Sequence, residues 1–516
     1  MRFSVLFGGK AGQGVNELAK LFSEIAGKNG YYVFNYRDYG SLIRGGNSFN
    51  IVSLSDKKIM SHENTYDVVV ALDEESVEIH KNLKKNGLVM DEKIGINEIL
   101  EKNKLDKKVS NVIFLGFLMK TLGFNLEDLL NELKKEFKGR KLLEQDLIAA
   151  KKGYEKAEDK RILFKVKKIE RNVFDGSDGI VYGAINSGLD LYIAYPMTPS
   201  TPVLHKLAEK QEKHMIFQPE SELAVVNMAL GASFAGARVM VGTSGGGFDL
   251  MSEGLSMQGI SEIPLVVYLA SRPGPGTGVP THTMQSDLKD ALNAGHGEFP
   301  RIVIAPGDPE ECVRAVNDAF YLSQKYRVLV IILSDKHVAE SLFTAELPKV
   351  NEIKIDYGKT DKNYSEKRCL PGLNICKASG YTHNEYGITT EDGKINVWML
   401  DRLKKKKLEI EKEKLEKIKM YGKGEDLVIG FGSVKGAILD ALDEVDCRFL
   451  QVLYLEPLDK KKIQEEIKKS KKIYVVENNS TGQLADIIEG LGFKVERILK
   501  YDARPFTKEE VKNAIR

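Results

Sequence analysis

Five short apolar runs between Val173 and Glu346 limit this chain to few folds. They are "LYIA" (191–194), "VMVGT" (239–243), "PLVVYLAS" (264–271), "RIVIAPGD" (301–308) and "RVLVIILSD" (327–335). Each is rich in β-branched and aromatic residues, and helical stretches separate them. Strands this apolar belong to a mostly parallel sheet covered by helices on both faces. In such sheets, ligands bind at the carboxyl ends of the strands. Three of those ends carry unusual loops: "YPMTPST", "TSGGG" and "SRPGPGTGVPTHTMQSDL".

The same alternation continues on either side. With 516 residues the chain is too long for one core, so an α/β fold of several doubly wound domains is expected. The first domain, 1–165, opens "FSVLFGGKAGQGVNELAKLFSEIAGKNGYYVFNY", a strand, glycine turn, amphipathic helix and strand. "IVSL", "YDVVVALD" and "VIFLGFLMKTLG" continue it. Charge-rich Lys151–Arg171 reads as a surface connection to the second domain, 172–345. A linker, 346–423, ends in "MLDRLKKKKLEIEKEKLEKIKMYG", read as a solvated helical connector, and 424–516 forms a smaller third α/β domain.

Charge excludes some functions: 76 basic against 74 acidic side chains gives no pull toward nucleic acid or an anionic membrane. No apolar run approaches the roughly 20 residues that span a bilayer, and glycines interrupt the start before a leader is complete. A cytoplasmic protein is expected. The four cysteines include no C-x-x-C pair, so neither a disulfide framework nor an iron–sulfur cluster is expected, and Cys369 and Cys376 read as unremarkable thiols.

Several residues are placed for chemistry. Gly8, Gly9, Gly12 and Gly14 lie between strand and helix, where backbone N–H groups can cradle anions, although a tight turn needing positive φ is the plainer reading. Arg44-Gly45-Gly46 is a second glycine turn with a cation. Glu220 and Glu222 stand at the start of "LAVVNMALGASFAGA", a helix apolar on almost every side and therefore expected to be buried. A buried carboxylate there is suited to acid–base work on a heterocycle, beyond simply complementing the helix dipole. Arg272 is the fixed cation among the strand-end loops; an arginine there pairs bidentately with a carboxylate or makes a structural salt bridge. Isolated His282 and His296 read as structural.

Taken together, "YPMTPST", "QPESELAVVNMALGASFAGA", "SRPGPGTGVPT", "GHGEFPRIVIAPGDPEEC", "SGYTHNEYG" and "VVENNSTGQLA" resemble the alpha subunit of 2-oxoacid:ferredoxin oxidoreductases of the 2-oxoglutarate synthase type. The N-terminal "GGKAGQG" and "DYGSLIRGGNSFN" resemble the gamma subunit of the same enzymes, fused ahead of the alpha part. The resemblance implies a thiamine-diphosphate pyrimidine-binding domain over 172–345, a transketolase C-terminal-like domain over 424–516 and a gamma-type domain at the N-terminus. It implies oxidative decarboxylation of a 2-oxoacid, 2-oxoglutarate first, with coenzyme A to acyl-CoA and CO2, reducing ferredoxin. Thr198 and Arg272 are implied to hold the 2-oxoacid, with Ser200 and Thr201 either beside them or capping the next helix. Glu222, with Glu220 in reserve, is implied to hydrogen-bond the aminopyrimidine of thiamine diphosphate. Mg2+ and an iron–sulfur cluster are implied to sit on a separate beta subunit, which makes a hetero-oligomer with the active site between two chains. Two departures stand out. "TSGGG" replaces the family's T-S-G-P-G, and "PTHTMQ" replaces P-T-R-T-E-Q, which removes charge near the expected substrate mouth. A transketolase-like transferase and a non-catalytic scaffold are the alternative readings.

Overall fold

The N-terminal strand Arg2–Lys10 is buried along almost its whole length, which is what a strand covered on both faces requires. It runs into the helix Val15–Lys28, whose Val15, Leu18, Ala19, Phe22 and Ile25 face the core, and then into the strand Tyr32–Tyr39. The expected strand–helix–strand start is therefore present, with one addition. The strand Asn47–Ser55 lies between the two and pairs antiparallel with both. "VIFLGFLMKTLG" falls in a third kind of element, the buried helix Ser110–Leu122.

The computed structural model describes residues 1–40, 46–211, 214–357, 368–374 and 376–515. They form two units: Met1–Phe174 with Glu340–Glu346 and Thr507–Glu510, and Asp175–Ala339 with Leu347–Phe506 and Val511–Arg516. The first unit holds a mixed seven-stranded sheet, in the order Leu83–Met90, Tyr66–Ala71, Arg2–Lys10, Asn47–Ser55, Tyr32–Tyr39, Leu342–Thr344, Val173–Phe174. The charge-rich stretch that ends at Arg171 packs onto this unit: the Arg171 N–H donates to Gly27 O, and its guanidinium lies over the Tyr32 ring. Arg44 and Gly45 lie outside the described residues.

The second unit holds two sheets. In the larger the order is Tyr454–Glu456, Arg301–Ile304, Leu329–Asp335, Leu265–Ser271, Val239–Thr243, Leu191–Ile193, Met215–Phe217. All neighbours pair parallel except Tyr454–Glu456, an antiparallel edge strand that arrives from the C-terminal segment. The smaller sheet is five-stranded, in the order Ile418–Gly422, Cys447–Val452, Asp426–Gly430, Ile473–Glu477, Glu496–Leu499. Caps set the helix starts. Asp308 accepts from the Glu311 N–H at 2.8 Å and precedes Pro309 as the first residue of helix Pro309–Tyr326, which begins where "GDPEE" signals a start.

Two expectations change. The lysine-rich helix Gly393–Glu411 is not simply solvated: Met399, Leu403 and Ile410 are buried, and Arg402 and Lys406 both engage the buried Glu262. Cys369 and Cys376 form a disulfide rather than two separate thiols, because the loop between them folds back and brings their Cα atoms to 6.0 Å.

Candidate active site

The strand ends Ile193, Thr243 and Ser271 bring the three loops to one edge of the central sheet. In the first loop, Ser200 N–H and Oγ both donate to Met197 O, the hydroxyl at 2.7 Å, which closes the turn ahead of helix Thr201–Ala208. The Ser200 hydroxyl is thereby occupied in the turn and makes no cap bond to the helix. Thr201 is the first residue of that helix, followed by Pro202. Thr198 is half-buried, and its carbonyl oxygen accepts from Arg272 Nη1 at 2.9 Å. The two residues from different loops therefore meet.

The two glutamates separate clearly. Glu220 is exposed, whereas Glu222, the first residue of helix Glu222–Phe234, is 3% exposed. Ser221 caps the helix by accepting from the Ala224 N–H, so Glu222 is free of that duty. Its Oε1 is buried without a hydrogen-bond partner. An unpaired buried carboxylate oxygen is costly unless something absent from the chain donates to it. Beside it, a Cβ on Gly247 would collide with Thr243 Oγ1 and Glu222 Oε1, which explains why "TSGGG" has glycine there. The helix is not buried all round: Leu223 and Met228 are 48% and 40% exposed, as is the neighbouring Leu250 at 47%.

Sequence reasoning missed Asp287 in the third loop. It is 7% exposed and stands at the N-cap position of helix Leu288–Asn293 without making a cap bond. Burial raises its pKa to about 6 against hydrogen bonds from Ser271 and Ser286, with Asp290 and Asp249 adding to the rise. Burial also pulls the Arg272 pKa down, opposed by Asp287 and Glu222. This loop is held from the C-terminal segment. Gln285 Nε2 donates to Phe431 O at 2.7 Å, Asn478 N–H donates to Gln285 Oε1 at 2.9 Å, and Gln483 Nε2 donates to Ser286 O at 2.7 Å. "ENNSTGQ" thus acts as a clamp: Glu477 accepts from the Leu484 and Ala485 N–H groups while Asn479 donates to it and to Gln285 O. His282 lies against Thr281 Oγ1 at 3.1 Å, and His296 is exposed.

In the N-terminal unit, Gly12 and Gly14 adopt φ of 92° and 77°, the left-handed turn that glycine favours. Gly14 precedes helix Val15–Lys28 at the mouth of a cavity of about 960 Å3 lined by Lys10, Arg37, Lys107, Lys108, Arg140 and Asn111, among others. Asn111 Oδ1 is buried without a partner. Turn and anion cradle are therefore compatible readings of the same glycines. Among the described residues, no group of three or more His, Cys, Asp or Glu side chains could hold a metal ion, and no helix is long and apolar enough to cross a membrane.

Residues 182–405 match the thiamine-diphosphate-binding region of pyruvate flavodoxin/ferredoxin oxidoreductases, and residues 4–156 match the pyruvate ferredoxin/flavodoxin oxidoreductase family. The 2-oxoacid:ferredoxin oxidoreductase subunit alpha of Saccharolobus solfataricus is 30% identical, with 100% of this chain and 98% of that protein covered. The chain belongs to the 2-oxoacid:ferredoxin oxidoreductase family. It is an alpha-type subunit that carries a gamma-type segment at its N-terminus. A solved 2-oxoglutarate:ferredoxin oxidoreductase from Magnetococcus marinus, with 2-oxoglutarate, coenzyme A and succinyl-CoA bound, superimposes with a TM-score of 0.88 at 27% identity over 100% of both chains. The 2-oxoglutarate synthase subunit KorA of Methanocaldococcus jannaschii is 29% identical over 63% of this oxidoreductase subunit and 93% of its own length.

Proposed function

We propose that this chain, with a separate beta subunit, oxidatively decarboxylates 2-oxoglutarate with coenzyme A and passes the electrons to ferredoxin. The observation that carries the reading is Glu222, a buried carboxylate with an orphaned oxygen against the "TSGGG" loop, on the same carboxyl edge of the parallel sheet where Arg272 meets Thr198. Thiamine diphosphate fits this place: Glu222 Oε1 is an acceptor awaiting a donor, and glycine at 247 keeps a side chain from being pressed onto it. When bound, the cofactor supplies a carbon nucleophile that ordinary side chains lack. Glu222 would hydrogen-bond a nitrogen of its pyrimidine and favour the imino tautomer. Arg272, steadied by the Thr198 carbonyl, offers its remaining N–H groups to the 2-oxoacid carboxylate, and half-buried Thr198 adds a hydroxyl from the same turn. Ser200 and Thr201 shape the turn.

The exposed Leu223, Met228 and Leu250 lie next to Glu222 in sequence or across the loop, and a beta subunit that completes the site accounts for their exposure. In the N-terminal unit, the cations around the glycine turn suit the phosphates of coenzyme A. The 2-oxoglutarate preference rests on the relatives, since His282 and Met284 stand where the family carries charge.

One experiment tests these points together. The chain is assayed alone and reconstituted with the beta subunit on 2-oxoglutarate, pyruvate, branched-chain and aryl 2-oxoacids. Ferredoxin reduction only in the complex, with the highest kcat/KM on 2-oxoglutarate, is expected. Replacing Lys107 and Lys108 by Ala in that complex raises KM for coenzyme A alone. Full turnover by the isolated chain sinks the shared-site reading, and a non-redox ketol transfer favours the transketolase-like alternative.

A further inference from the structure

The cavity of the N-terminal unit lies where two helices begin. Gly14 and Val15 at the start of helix Val15–Lys28, and Ser110 and Asn111 at the start of helix Ser110–Leu122, all line it. Neither start carries a side-chain cap bond, so both helices present their positive ends to the cavity. Asn111 lies between them: it is 6% exposed, a Cβ on Gly14 would collide with its Nδ2, and its Oδ1 is buried without a partner. Such a place suits an anion that also brings a hydrogen-bond donor.

Arg140 lines the same cavity in a defined setting. It sits in the short turn between helices Leu126–Glu136 and Leu143–Lys156, where its N–H donates to Phe137 O and its carbonyl accepts from the Leu143 N–H. Its guanidinium carbon stands 4.5 Å from the centre of the Phe137 ring. Nε lies 3.3 Å from Asp146 Oδ2, and Nη1 lies 3.8 Å from Glu17 Oε2. The two carboxylates are unlike. Asp146 is 0% exposed, on the helix face that also buries Ala149, Ala150 and Gly153, and neither of its oxygens has a hydrogen-bond partner. A carboxylate buried in that way depends on its compensating charge and cannot exchange it for water. Glu17, in the first turn of helix Val15–Lys28, keeps 54% of its side chain exposed, and an ion pair so open to solvent contributes little.

We propose that Asp146 is a positioning residue that anchors Arg140 by its Nε edge, and that a phosphate of coenzyme A displaces Glu17 from the other side of the guanidinium. The anchor leaves the two Nη groups to the phosphate, which accepts both in the fork geometry of an arginine. Glu17 returns to water, and no covalent bond is made or broken. This rests on the coenzyme A reading of the cavity given above and adds to it the residues that set how firmly a phosphate is held.

The test uses the complex reconstituted with the beta subunit, turning over 2-oxoglutarate while coenzyme A is varied. Arg140→Ala is expected to raise KM for coenzyme A by about tenfold or more, the usual worth of a charged hydrogen-bonded contact, with kcat within about twofold of wild type. Asp146→Asn raises KM about tenfold alone but less than about twofold when Arg140 is already alanine, because it acts through that guanidinium. Glu17→Gln removes the competitor and lowers KM about threefold, again only while Arg140 is present. An Asp146→Asn penalty that survives in the Arg140→Ala background, or a Glu17→Gln enzyme with unchanged KM, overturns the proposal. Where Asp146→Asn does not assemble, Arg140→Lys decides, since it keeps the charge and lacks the Nε that Asp146 holds. A lysine as poor as alanine supports the anchor, and one that restores KM refutes it. Dephospho-coenzyme A assigns the phosphate: an Arg140→Ala penalty that disappears with it supports pairing with the 3′-phosphate, and one that persists supports pairing with the diphosphate. If the Lys107 and Lys108 alanine pair also leaves KM for coenzyme A unchanged, the coenzyme A reading of the cavity fails. If that pair raises KM and the Arg140 variants do not, only the Arg140 arrangement fails.

Discussion

Glu222 and Glu220 are two positions apart, and chemistry separates them because only one reaches the interior. Glu222→Gln keeps the volume but cannot take a proton, and kcat in the reconstituted complex is expected to fall by about 10² to 10⁴, the usual worth of a positioned acid–base group. Arg272→Ala loses a charge-assisted pair worth about 2–3 kcal/mol, so kcat/KM for the 2-oxoacid falls by roughly 10². Thr198→Ala loses less and acts on the same substrate terms. Near wild-type turnover in all three favours the scaffold reading, with thermal melts of each variant confirming that the fold is intact. At this scale the sequence was legible where motif and geometry coincide: "YPMTPST" and "SRPG" pointed to Thr198 and Arg272, which do meet. Asp287 was not legible. Its place in "SDL" looks like an ordinary helix cap, and only the absence of a cap bond marks it as different.

The strand-and-helix pattern was readable for the central sheet because its apolar runs are short, rich in β-branched residues and bounded by turn residues, whereas the longer run in Ser110–Leu122 is a helix. It failed where an element takes its role from a distant neighbour. The edge strand Tyr454–Glu456 and the inserted strand Asn47–Ser55 are examples, since pairing order is not written in periodicity. The lysine helix was misjudged because Arg402 and Lys406 look solvated until Glu262 appears beside them. Helix Lys336–Glu340 offers a test by pH. His337 is 3% exposed, and burial, with Lys336 adding to it, depresses its pKa from 6.5 to about 3. Between those values the unfolded chain binds a proton that the folded chain refuses, so this residue withdraws stability as pH falls from 6.5 toward 3. Urea melts at pH 7 and pH 4.5 should show a smaller loss for His337→Gln than for the wild type. The comparison between the two proteins is diagnostic, because Asp287, with its raised pKa, contributes in the opposite direction.

Across the whole molecule, the second unit joins its two sheets through a buried charge cluster. Lys435, 4% exposed, pairs with Asp308 and, at 2.6 Å, with Glu311, which also meets Lys419 and accepts from Gln451 Nε2. Burial opposes the Lys435 charge, and the two carboxylates outweigh it, holding its pKa above the ordinary value. Lys435→Met leaves those carboxylates buried and poorly compensated, and chemical denaturation should show a loss of about 3–5 kcal/mol. From the sequence alone came the α/β class, the family and the three loops that meet at the carboxyl edge of the central sheet, because apolar period and motif are local properties of the chain. Tertiary structure alone decided which glutamate is buried, that the C-terminal "ENNSTGQ" clamps the third loop, and that Asp287 is buried without a cap bond. Those facts depend on which surfaces exclude water together, and a linear pattern records only which residues are able to do so.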